Sequence, residues 1–165
     1  MKKVNLIVTV ATALSLSLFS CSSESVEIAK KLQNSYEYEG KTVELTGEFD
    51  APFFTFSSGQ SKTIPMAFVV KPGAMSSEKE SISDIVLPQG ADKNSVTLEL
   101  GPNEKKYTLK NFNVFDDKGE KYNLDQHQSF KIKGKVHYAE FDKPEADRRA
   151  DNFALQITDV TIEKN

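Results

Sequence analysis

Val43-Glu-Leu-Thr-Gly47-Glu-Phe49 and Phe130-Lys-Ile-Lys-Gly134-Lys-Val136 are one pattern written twice: apolar-x-apolar-x-Gly-x-apolar. Successive strand residues point to opposite faces. The first stretch therefore turns Val43, Leu45 and Phe49 one way and Thr42, Glu44, Thr46 and Glu48 the other. The second sets Phe130, Ile132, Val136 and Tyr138 against Lys131, Lys133, Lys135 and His137. Both read as half-buried strands of an all-β domain. In the first, Gly47 removes a side chain inside the pattern, which signals a bend or a bulge.

Outward from these strands the period changes several times. Val26 to Tyr38 reads as a helix, with Ser25 as N-cap, Glu27 in the first turn, and Ile28, Leu32 and Tyr36 on one face. Glu39-Gly40 ends it. Pro52 interrupts the first strand before Phe53, Phe54 and Phe56, and Ser57 to Ser61 forms a turn. Thr63 to Lys71 is a second strand. Residues 74–94 show no single period; Ile82, Ile85, Val86 and Leu87 pack as a short helix or strand. Val96, Leu98 and Leu100 alternate, Lys106 to Phe115 is another strand, and Asp116-Asp117-Lys118-Gly119 is a hairpin turn leading back through Lys121 to Leu124. Asp142 to Asn152 is a charged loop before a last strand, Phe153 to Glu163. In that strand Leu155 and Ile157 fall out of phase with Val160 and Ile162, a slip at Thr158-Asp159 that predicts a bulge.

The N-terminus carries a separate message. Met1-Lys2-Lys3 is followed by an apolar run from Val4 to Phe19 and then by Ser20-Cys21, which holds the chain's one cysteine. The run is short and broken by Asn5, Thr9, Thr12, Ser15 and Ser17, whereas a spanning helix needs roughly 20 predominantly apolar residues. A cleaved signal is the better reading. Leu18, Ser20 and Cys21 make this segment resemble a bacterial lipoprotein signal peptide with its lipobox. The resemblance implies a signal peptide over residues 1–20, acylation of Cys21 with palmitate-type chains, and a lipidated tether over residues 21–25. Ser22, where an aspartate is associated with inner-membrane retention, favours the outer membrane. Two or three chains anchor stably where one does not. Extended, the residues between Cys21 and Val26 span at most about 14 Å, which keeps residues 26–165, a single domain, close to the lipid.

A second resemblance comes from the order of elements. A helix, then Tyr38-Glu-Gly-Lys-Thr-Val-Glu-Leu-Thr-Gly-Glu-Phe49, then Phe130 to Val136, then Leu155-Gln-Ile-Thr-Asp-Val-Thr-Ile162 resembles the bacterial OB-fold family called tRNA_anti-like. It implies an OB-fold-like Greek-key barrel with an N-terminal helix, in which the first and fourth strands pair and a glycine lets the first one curl. Residues 74–128 exceed what such a barrel needs and read as an inserted β-hairpin region.

Charge and composition narrow the function. Removing Lys2 and Lys3 with the leader leaves 19 basic against 24 acidic side chains, a charge of −5. Nucleic acid is a poor partner for such a surface, because affinity for it comes largely from phosphate neutralisation. No cysteine remains for a disulfide, and His127 and His137 lack zinc-ligand spacing. No nucleophile elbow, phosphate loop or dinucleotide fingerprint is present, and no cofactor is implied. The candidate contact residues are Phe53, Phe54 and Phe56, which either offer an aromatic platform or join the core, and Arg148 and Arg149, which either take a carboxylate or phosphate or pair with Asp147 and Asp151. Lys131, Lys133 and Lys135 are expected to be neutralised by Glu44 and Glu48 across the first strand. The reading is a membrane-anchored lipoprotein carrying a non-catalytic OB-like binding or adaptor domain for an envelope protein, a glycan or a small ligand. The alternative is a structural or assembly component of an envelope complex without a small-molecule site; an envelope hydrolase is a third.

Overall fold

The computed structural model describes residues 22–51, 62–71, 79–102 and 107–165. Five strands close a barrel in the order β1-β2-β3-β8-β7: β1 (Thr42–Asp50), β2 (Thr63–Val70), β3 (Glu80–Pro88), β7 (Ser129–Tyr138) and β8 (Leu155–Lys164). The two strands that share a pattern are neighbours. β1 pairs antiparallel with β7 from Thr42↔Lys135 to Glu48↔Ser129, and with β2 only at Glu48↔Val69, Phe49↔Phe68 and Asp50↔Ala67. The strand thus passes from one neighbour to the other at Gly47. A Cβ there would stand 2.3 Å from the Val69 carbonyl oxygen and 2.9 Å from Phe68 Cε1. Only glycine admits that approach. This is the all-β, OB-like barrel expected, with the first barrel strand paired to the fourth.

The other glycine marks the second bend. The β7–β8 register shifts between Lys133 and Lys135, and Asp159 takes a left-handed φ of 52°. This is the bulge read from the phase slip at Thr158-Asp159. A Cβ on Gly134 would stand 2.5 Å from Ile157 Cγ2. β3 and β8 run parallel and share a single register pair, Ile85↔Ile157. The core holds Leu45, Phe49, Phe68, Ile85, Phe130, Ile132, Val136 and Ile157, all buried. Each such side chain contributes about 1.5–3 kcal/mol of burial.

The helix α1 (Ser22–Leu32) differs from expectation at both ends. Ser25 is buried inside it and is not its N-cap; the Ser25 hydroxyl accepts from the Thr46 backbone N–H at 3.1 Å. That N–H lies in the part of β1 with no β2 partner, so the helix supplies what the sheet does not. Val26, Ala29 and Leu32 are buried against the barrel. The helix stops at Leu32, where the single O–H of Tyr138 is shared between the carbonyl of Leu32 (2.9 Å) and that of Ser35 just beyond the helix (2.7 Å). Tyr36, spaced as if it continued the helical face, instead packs on Tyr138, Phe141 and Phe153.

The insertion is smaller than the β-hairpin region expected over residues 74–128: β3 within that span is a barrel strand, and what is added is a three-stranded antiparallel sheet of β4 (Ser95–Leu98), β5 (Phe112–Phe115) and β6 (Lys121–Asn123). The expected strand over Lys106 to Phe115 is a 3-10 turn at Leu109–Asn111 followed by β5. The hairpin turn forms as read: Gly119 has a φ of 85°, and buried Asp116 accepts from the backbone of Lys118 and Glu120. Asn94 Oδ1 accepts from Ile162 N at 2.7 Å and Asp117 N donates to Ile162 O at 2.8 Å, which stitches the insertion to the end of β8. Tyr122 packs on Phe130 at the start of β7. α1 meets the opposite end of β7, at Tyr138, so the barrel is covered at both ends.

Candidate functional site

Phe53, Phe54 and Phe56, like Cys21, lie outside the described residues. Arg148 and Arg149 lie in the segment 139–154 that links β7 to β8. Its geometry starts from a buried carboxylate. Glu140 accepts from Lys143 Nζ at 2.7 Å, from the Arg149 backbone N–H at 2.9 Å and from Asn152 Nδ2. The Lys143 ammonium first, and the Arg149 amide next, hold its carboxyl at about 2. The Tyr36 hydroxyl reaches the carbonyls of Arg149 and Asn152 at 2.6 and 2.7 Å. The backbone of the loop is thus fixed from beneath.

The arginine side chains are left outside this framework. Arg148 lies over the Phe141 ring at 4.6 Å and its Nε donates to the Lys143 carbonyl. Among the described residues neither arginine forms an ion pair with Asp147 or Asp151, and the Arg149 guanidinium has no ion-pair partner. Exposed guanidinium groups on an anchored backbone suit an anionic or carboxylate-bearing partner.

The lysine stripe is neutralised only in part. Lys131 pairs with Glu44 at 3.0 Å, and Glu48 turns instead to Lys71 at 3.2 Å. Lys133 and Lys135 are exposed without an ion pair among the described residues. His137, the last residue of that face, lies between two carboxylates: Nδ1 is 3.1 Å from Glu39 Oε1 and Nε2 is 2.9 Å from Asp142 Oδ1.

Two concavities bear on recognition. One, about 160 Å³, is lined by Glu48, Phe49, Asp50, Val69, Lys71, Lys79 and His127, where β1 leads into residues 52–61. It brings both signs of charge together beside Phe49, Val69 and Leu109. The other, about 320 Å³, opens where β3 and β8 splay and is lined by Gln33, Ser83, Asp84, Asp151 and Phe153. A β3 bulge places Ser83 and Asp84 opposite Ala67, between Met66↔Ile85 and Phe68↔Ile82. Burial pushes the Asp84 carboxyl up. Residues 74–94 gave no strand period for this reason: the bulge separates Ile82 from Ile85 by three while Ile85 and Leu87 stay two apart. Among the described residues Leu100 is the one exposed large apolar side chain, and no group of three His, Cys, Asp or Glu is disposed to hold a metal ion. No described helix is long and apolar enough to cross a membrane.

No protein-family model, no curated protein and no solved structure matches the chain.

Proposed function

We propose that the chain is a lipid-anchored envelope protein whose OB-like domain binds a polar ligand, such as a glycan or small charged molecule, without catalysis. The observation that supports binding is the concavity at the end of β1. It combines Lys71 and Lys79 with Glu48 and Asp50 beside Phe49 and Val69. Convergent polar groups in a small concavity fix the orientation of a small ligand. A protein-docking role alone would favour a broad apolar patch, and the described surface offers only Leu100. The anchor rests on the lipobox-like Leu18-Phe-Ser-Cys21. The outer membrane is the location this reading favours.

Two measurements test the proposal. Metabolic labelling with palmitate in a bacterial host is expected to mark the wild-type chain and not Cys21→Ser, which should leave the membrane fraction. Amide-shift mapping against envelope glycan fragments is expected to move Glu48–Asp50 and Val69–Lys71 together. An unlabelled wild-type chain removes the anchor. Silence at those amides toward every glycan, with crosslinked envelope proteins recovered instead, favours the assembly role.

A further inference from the structure

We propose that Glu39, His137 and Asp142 form a pH-operated latch that clamps the start of the β7–β8 loop to the connector between α1 and β1. The three groups come from three elements: Glu39 from the connector, His137 from β7, and Asp142 from the 3-10 turn Ala139–Asp142. The imidazole touches both carboxylates at hydrogen-bond distance, and both contacts can be donations only when the ring carries two protons.

The surroundings make the ring's charge the deciding variable. Its cross-strand partner on β8 is the uncharged Gln156, and on the β1 side the chain at this level is Gly40. Lys135, two residues back on the same strand face, is the next ionisable neighbour along β7. The charged groups that face the ring are therefore the two carboxylates. The Glu39 contact, then the Asp142 contact, raise the His137 value above 6.5 against an opposing burial cost. A value raised by folding stabilises the clamped state fully below 6.5 and loses that contribution as pH rises through the folded value.

The two arms are unequal, which sets the direction of release. Glu39 is also held by the Tyr138 backbone N–H, 2.8 Å from Oε2, and its side chain is 24% exposed. The Asp142 side chain is 71% exposed. When one proton leaves, the remaining one stays on Nδ1 toward Glu39. The bare Nε2 lone pair then faces the Asp142 carboxylate, and that contact parts. Asp142 closes the turn that carries Phe141, on which Arg148 rests at 4.6 Å. Releasing the turn therefore changes how Arg148 is presented. Glu140 does not titrate in this range, so its three bonds confine the opening to one side of the loop.

The test is an NMR pH titration from 5.5 to 9 on the protein purified from cells, in detergent where acylated. The expected result is a His137 midpoint above 6.5, an Nδ1–H tautomer at high pH, and amides of residues 139–149 that move with that midpoint. In Asp142→Asn, a surface change, the midpoint is expected to fall and the loop amides to stop following it. In Glu39→Gln the midpoint should fall further. A wild-type midpoint at or below 6.5, an Nε2–H tautomer, or loop amides that ignore His137 would each overturn the latch.

Discussion

Alanine at Gly47 puts the barrel's closure to a direct test. The added Cβ starts 2.3 Å from the Val69 carbonyl oxygen. A carbon and a carbonyl oxygen settle at about 3.3 Å or beyond, so β1 must withdraw from β2 by about 1 Å. No rotamer relieves this, because the obstructing atom is backbone. Overpacking of this kind costs about 1–3 kcal/mol. Restricting the unfolded chain returns about 0.4–1 kcal/mol, which leaves a net loss of about 1.3 kcal/mol. Urea unfolding followed by tyrosine fluorescence is suited to a chain with five tyrosines and no tryptophan. At a slope of about 2 kcal/mol per M, the midpoint should drop by about 0.6 M. Gly90→Ala is the control: its Cβ meets nothing within 4 Å and its φ is not left-handed, so its midpoint should hold or rise slightly. If Gly47→Ala matched Gly90→Ala, β1 would not cross to β2 at this residue and the barrel register would be wrong.

Two further changes probe the stitching and the loop. Asn94 has a left-handed φ of 54° and its side chain satisfies the Ile162 N–H. Asn94→Ala should cost about 1–3 kcal/mol through the stranded donor, and hydrogen exchange should quicken at Ile162 while α1 stays protected; an unchanged Ile162 rate refutes the link. Glu140 is held at about 2 against an unfolded value of 4.5. Its contribution is therefore full above 4.5 and lost as pH falls toward 2. Glu140→Gln should be less stable than wild type at pH 7, and the gap should close between pH 4.5 and 2. A gap that is constant with pH contradicts the assignment.

The barrel was legible where burial and period agree. The glycine-centred strands, the hairpin at Asp116–Gly119 and the phase slip at Thr158-Asp159 all come from side chains that must choose one face. β3 was illegible because its Ser83–Asp84 bulge breaks that choice inside a short strand. Ser25 reads as a cap because serine usually caps locally; here its hydroxyl serves Thr46, twenty-one residues away in sequence. Tyr36 keeps helical spacing after the helix has ended, since its ring is spent on Phe141 and Phe153. Of the site, the loop and its arginines were visible, while the anchoring Glu140 and the His137 bridge depend on residues that meet only in three dimensions.

The pairing of β1 with β7 also sets an order of events during synthesis. Residues 51–128 must be made before the partner of β1 exists, an interval of roughly 4–15 s at ordinary elongation rates. Throughout it, the stretch Thr42 to Gly47 has no strand to join, because β2 pairs only with Glu48, Phe49 and Asp50. Glu44 along that unpaired edge repels a second nascent copy, so the same carboxylate that later meets Lys131 first acts as a guard against premature partners.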